Sequence, residues 1–354
     1  MGDNSSFIAG GSLMRKLNDQ VIIVQVLVGL FLCINLMLII TFFMKDTFYT
    51  SMRYILFAVT LLSDCLILII TNLLLILSFL NVSIQMWLCL IIFAVASVYI
   101  FVTPVTLTAM TLERYVAICM PLRHGELCSI RSALRCILII HGLSSVPCIV
   151  TLSIFFASVS LSFFRLYRVC SVEMFILHSW QGHLRSAISQ FYFLIMCIVI
   201  VFSYIQIMKV AKAASGENKK SSHKGLRTVV LHAFQLLLCL IQLWCPFIEA
   251  AVLQTNFMLY INVRYFNYIM FNLTPRCLSP LIYGLRDEKF FLALKYDILC
   301  PLHRNKSVSF YNIDATNHIY TFTDIFSEAI LQPLHQQLPG AWLWLLNLIT
   351  EYVS

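Results

Sequence analysis

The sequence predicts an all-α membrane protein, a seven-transmembrane helix bundle with a short amphipathic eighth helix. Three observations lead there. Of the 354 residues, 60% are hydrophobic and only 11% are charged, whereas a soluble domain carries about 25% charge. A surface so poor in charge cannot face water all round, so lipid must be its solvent over much of its area. Seven apolar runs each reach the roughly 20 residues that a bilayer demands. The Lys and Arg residues gather in short segments on one side of those runs. A net charge of +8 would suit nucleic acid, but this placement reads as membrane orientation, and no nucleic-acid partner is expected.

The membrane domain spans 21–284, with runs at about 21–44, 54–79, 87–112, 136–158, 188–210, 228–253 and 260–284. In hydrocarbon every backbone polar group needs an internal partner, so each run must be a helix. Residues 1–20 are polar and lack an apolar core, which leaves the first span to act as its own insertion signal. Of the 24 basic residues, 17 fall on one side, among them Lys45, Arg53, Arg123, Arg131, Lys219, Lys220 and Arg286. The other side, with one residue inside a span, holds Arg15, Lys16, Arg165, Arg168, Arg185, Arg264 and Arg276. The basic side is therefore expected to be cytoplasmic and the N-terminus extracellular, in a multi-pass plasma-membrane protein. The sequon Asn4-Ser5-Ser6 then lies where glycans are added. Asn81-Val82-Ser83 is too close to the membrane, and Asn272-Leu273-Thr274 is inside a span.

Beyond the seventh span, 285–300 mixes charges with Phe290, Phe291, Leu294 and Ile298, as an amphipathic helix on the inner leaflet does. Cys300 follows, placed for palmitoylation or for burial as a free thiol. Residues 301–354 form a cytoplasmic tail expected to be disordered; its run AWLWLLNLI at 341–349 is too short to span. Most of the 13 cysteines sit in apolar runs as small buried hydrophobes. No CxxC pair or zinc-spaced Cys/His cluster occurs, so no metal or cofactor is expected.

Several polar residues stand where hydrocarbon makes them costly. An Arg at a helix end usually snorkels, but in MTLERYVAIC at 110–119 an acid precedes Arg114 and an aromatic follows it. Asn35 and Asp64 lie inside the first and second spans. Trp244-Cys245-Pro246 puts a helix-kinking proline in the sixth. Ser279-Pro280-Leu281-Ile282-Tyr283 closes the seventh, and Cys89 begins the third, 25 residues before Arg114.

Taken in order, these landmarks resemble the rhodopsin-like G-protein-coupled receptors. The resemblance implies that Glu113 holds Arg114 at rest and that Glu113-Arg114-Tyr115 engages a heterotrimeric G protein on activation. It implies a Cys89–Cys170 disulfide, in keeping with an oxidising compartment. It implies a hinge at Trp244, and switch roles for Tyr204, Pro280 and Tyr283, with Ser279 standing where the family has Asn.

Within that family the chain resembles the odorant receptors, specifically the fish-type group called odorant receptor 131-2-like. MRYILF (52–57), ERYVAICMPLRH (113–124), Ser203-Tyr204, LRTVVLHAFQLLLCL (226–240) and PRCLSPLIYGLRDEKF (275–290) carry it. It departs from mammalian-type odorant receptors in having Cys170 alone in its loop, and from the wider family in lacking the fourth-span Trp near His141 and Gly142. The resemblance implies a small odorant or other chemosensory ligand and a stimulatory olfactory G protein. The implied pocket has Ser97, Ile100 and Phe101 on the third span, Phe247, Ile248 and Ala251 on the sixth, and Ile269 on the seventh. Ala96 stands where amine receptors carry an acid, which disfavours an amine held that way; Glu249 is the acid left near the pocket.

Members of the family commonly hold sodium at the second-span acid, here Asp64, with Thr103 in the third-span role. Arg276, about one turn outward from Pro280, is expected to replace that ion as the bidentate partner of Asp64. A receptor for a non-odorant ligand is the nearest alternative. A transporter would show internal repeats or interrupted helices in two halves, and an enzyme would need GxSxG, HExxH or a carboxylate dyad; none occurs in the spans.

Overall fold

The structure is a computed structural model that describes residues 3–214 and 233–280, with side chains from residue 19 onward except at 161–162, 172–173, 179 and 211–214. Five long helices come first: Asp3–Met44, Met52–Phe79, Met86–Cys119, Ile130–Ser158 and Ser179–Ala214. The sixth, Ala233–Leu253, completes a set of six apolar helices long enough to cross a membrane. The seventh is built of three joined pieces: α-helix Phe257–Asn267, a π-turn Tyr268–Leu273 and α-helix Thr274–Ser279.

Two boundaries differ from the sequence reading. The first helix starts at Asp3, ahead of the span expected from residue 21. The third continues through Arg114 to Cys119, because the short helix Pro121–Leu127, with proline at its first position, takes over directly. The amphipathic 285–300 segment, the 301–354 tail and Tyr283 lie outside the described residues.

Caps fix two starts. Ser129 accepts from the Ser132 N–H at 3.3 Å to open the fourth span, and Asn256 accepts from Met258 and Leu259 at 2.8 and 3.4 Å to open the seventh. Three buried hydroxyls are satisfied by their own helices: Thr60, Thr106 and Thr111 each donate to the carbonyl four residues back. The sixth helix is broken before Pro246. Leu243 and Trp244 donate to Leu240 and Ile241, three residues back instead of four, and the helical runs 233–242 and 245–253 meet at that turn.

The third span is central, packed on the second, fourth and fifth. Its neighbours turn Leu134, Leu138 and Ile139 of the fourth and Phe191, Leu194 and Ile198 of the fifth outward, as lipid-facing side chains. At the Cys89 end, strand β1 (Ser83–Gln85) pairs antiparallel with β2 (Tyr167–Val169), Ile84 opposite Arg168.

Candidate functional site

At the Cys89 end, Cys89 of the third helix is bonded to Cys170, with Cα atoms 5.6 Å apart. Both cysteines are buried in a cluster with Met86, Phe93, Phe155 and Phe175. Phe175 of the loop stacks on Phe93 at 4.3 Å between centroids and meets Phe155 edge-on at 5.1 Å. The disulfide and these rings pin the loop to the ends of the third and fourth helices.

The ligand wall expected from the sequence is only partly assembled. Phe101 is buried and packs edge-on against Tyr192 of the fifth span, centroids 5.2 Å apart. Ile100 packs against the same core cluster, and Ser97 sits against Cys148 of the fourth span. On the sixth, Phe247 is half-buried, while Ile248 and Ala251 are exposed. Ile269 is misplaced by the sequence reading: it is buried with Val24, Leu27, Val28 and Phe31 of the first span. Ile269 lies in the π-turn at 268–273, whose wider turn faces its side chains differently from an ordinary α-helix. Glu249 accepts from the Asn267 amide at 3.1 Å, tying the sixth span to the seventh. A cleft lies elsewhere, between the fourth and fifth spans beside Phe175; none of the seven expected residues borders it.

Mid-bundle, Asp64 is fully buried. Thr103 donates to its Oδ1 at 3.1 Å and Ser279 to its Oδ2 at 3.0 Å. Arg276, also buried, brings its Nε to 3.9 Å from Asp64 Oδ1. The fork expected from the sequence is not formed. The guanidinium leans back along its own helix, as side chains do, and Nη1 donates to the Asn272 carbonyl and to Gln242 Oε1 at 3.5 Å. Nε makes no hydrogen bond among the described residues, so the contact with Asp64 is a single ion pair.

Two sixth-span glutamines escaped the sequence reading. Gln235 donates to Ser279 Oγ at 2.6 Å and to the Pro275 carbonyl at 2.9 Å. Gln242 donates to Asn272 Oδ1 at 3.3 Å. Their spacing was the available signal: seven residues apart in an apolar run, they share one helix face. Asn35 is fully buried too, and its amide finds no partner among the described residues.

At the other end, Glu113 is buried and shared. Arg53 Nε of the second helix lies 3.6 Å from its Oε2, and His124 Nε2 of the short helix 3.4 Å from its Oε1. Sequence reasoning assigned Glu113 to Arg114 alone and missed both. Arg114 itself is buried, and Tyr115 faces Phe202 of the fifth span at 5.8 Å between rings. Tyr204 is half-buried; Trp244 is 42% exposed at the sixth-span turn; Pro280 is buried and ends the described seventh span. Burial first, and then the Glu113 charge, push the Cys128 thiol up, which keeps it protonated and unreactive.

Comparison with known proteins agrees with this layout. Residues 34–283 match the 7 transmembrane receptor (rhodopsin family). The chain is 42% identical to odorant receptor 131-2 of Danio rerio over 304 residues, 86% of this chain and 93% of that protein. It is 26% identical to neuropeptide receptor 15 of Caenorhabditis elegans, over 62% of this chain and 71% of that protein. It is 24% identical to galanin receptor 2a of Danio rerio, over 58% and 56% of the two chains. With a disulfide from the third helix to the following loop, a buried Glu113–Arg114 pair followed by the half-buried Tyr115 at the far end of that helix, and a family match over residues 34–283, the chain belongs to the rhodopsin family of seven-transmembrane receptors.

Proposed function

We propose that this chain is a chemosensory receptor, and not an enzyme, that takes a small odorant-like ligand and activates a heterotrimeric G protein of the stimulatory olfactory type. The likeness to the zebrafish odorant receptor over nearly that protein's whole length carries the reading. The excess of Lys and Arg at the Arg114 end supports a cytoplasmic face there. The disulfide end and Asn4 then face outward at the plasma membrane, with Asn4 glycosylated. Glu113, Arg114, Tyr115, Tyr204, Trp244, Pro280 and Tyr283 form the coupling machinery, and Asp64 with Arg276 is the polar pair that holds the spans together.

The test is cyclic AMP in cells expressing the receptor with an olfactory stimulatory G protein. Odorants applied one at a time should raise it, and Arg114→Ala should abolish the rise at equal surface level. A response that survives Arg114→Ala would end this assignment. Basal signalling reads the resting state. Glu113 is held by one half-exposed arginine and one histidine, and contacts of that kind are worth at most about 1 kcal/mol. Glu113→Gln is therefore expected to raise basal cyclic AMP by up to about fivefold. Unchanged basal output at normal surface expression would show that Glu113 restrains nothing.

A further inference from the structure

Gln235 is fully buried in the 233–242 run of the sixth span, which ends at the break before Pro246. Its side-chain Nε2 donates to the Pro275 carbonyl at 2.9 Å and to Ser279 Oγ at 2.6 Å, two acceptors one turn apart on the seventh span. A carbonyl can only accept, so the amide must turn its Nε2 to this side. Ser279 Oγ therefore accepts from Gln235, and its own hydrogen is left for Asp64 Oδ2 at 3.0 Å. Thr103 of the third span donates to the other oxygen of Asp64 at 3.1 Å. One directional set of hydrogen bonds thus joins the sixth, seventh, second and third spans.

Two features set Gln235 apart from the other ties of the sixth span to the seventh. Gln235, Ser279 and Asp64 are all fully buried, and a hydrogen bond in such low-dielectric surroundings is stronger than one in water. Gln242 and Glu249, by contrast, reach the seventh span at 3.3 and 3.1 Å from half-buried positions. The second feature is a cost. Gln235 Oε1 finds no partner among the described residues, and a buried acceptor left unpaired works against folding. An apolar side chain would avoid that cost, which points to a role for the amide beyond stability.

We infer that Gln235 is a positioning residue that holds the receptor at rest, by aiming the Ser279 hydroxyl at Asp64 and tying the 233–242 run to the acid at the centre of the bundle. Activation parts Gln235 from Ser279. This role rests on the proposed receptor reading for its signalling consequence; the tie itself does not. It adds a buried restraint to the one at Glu113, whose partners are half-exposed and stand 3.6 and 3.4 Å away.

The test compares Gln235→Leu, Ser279→Ala and the double variant with the unaltered receptor, in cells at equal surface level and as purified full-length protein. Gln235→Leu should raise basal cyclic AMP about fivefold or more, the scale of one net hydrogen bond. Ser279→Ala should raise it too, and the double variant should match the higher single, since all three cut the same tie. Adding Arg114→Ala should cancel the rise. A role in stability alone would lower melting temperature and surface level and leave basal output per receptor where it was. In the purified protein, backbone amides of 233–242 should exchange faster in Gln235→Leu, while those of Met86–Cys119 should not. Basal output unchanged in Gln235→Leu, or a double variant that multiplies the two singles, would overturn the role. Should Gln235→Leu fail to reach the surface, Ser279→Ala reads the same bond from its other side. Unchanged exchange in 233–242 would sink the tie whatever the cells show. The receptor assignment fails separately. Odorants that raise cyclic AMP while Gln235→Leu stays at the basal level leave the assignment standing and end the role of Gln235. A basal rise in Gln235→Leu with no response to any odorant does the reverse.

Discussion

Asp64→Asn is expected to be the most damaging single substitution in the bundle, at about 3–5 kcal/mol, because it strands the buried Arg276 guanidinium. Arg276→Leu strands Asp64 in turn, but the two losses are not equal. A carboxyl can bind a proton, and Asp64 keeps Thr103 and Ser279 as donors. The guanidinium cannot shed its charge and retains only the Asn272 carbonyl and a 3.5 Å contact with Gln242. Asp64→Asn should therefore lower the melting temperature and the surface fraction more than Arg276→Leu, and the double variant should recover part of the loss. With a fixed cation beside Asp64, ligand response should also be indifferent to replacing sodium with a large organic cation. A double variant no better than the worse single one, or a clear sodium effect, would show that the pair does not act as a unit.

Removing the Cys89–Cys170 bond comes next in size. It closes a loop of 81 residues, for which chain entropy alone gives about 4–5 kcal/mol in a soluble protein. In a bilayer the unfolded state still holds inserted helices, so the ends start closer together and the effect shrinks to about 2–4 kcal/mol. Cys89→Ser and Cys170→Ser should each lower surface expression and ligand response, and the double variant should be no worse than either. Normal expression of Cys89→Ser, or both thiols found free by mass spectrometry of surface protein, would contradict this.

The helices were legible because hydrocarbon permits little else, and Cys89 and Glu113-Arg114-Tyr115 were legible because they lie on one unbroken helix. Counting 25 residues back from Arg114 reached Cys89 because the third helix runs uninterrupted from Met86 to Cys119. Ile269 was misplaced because it lies in a π-turn, and nothing in Tyr268–Leu273 announces such a turn. Asp64 and Arg276 were paired by elimination, since each is costly alone in the bundle. The single ion pair in place of a fork was invisible, because it depends on the Asn272 carbonyl and on Gln242. Arg53 and His124 were missed for another reason. Each looks like ordinary membrane-edge charge until the second helix and the short helix are folded against Glu113.

The break at Leu243–Trp244 makes the 233–242 arm of the sixth span a lever. At about 1.5 Å of rise per residue, Gln235 stands roughly 12 Å from that fulcrum. A swing of about 10° would then carry its amide along an arc of roughly 2 Å. Its bond to Ser279 is 2.6 Å long and hydrogen bonds fail beyond about 3.5 Å, so even that small rotation away from the seventh span breaks this contact. Gln235 thus works as a latch placed far enough along the arm that a few degrees of hinge motion are enough to release it.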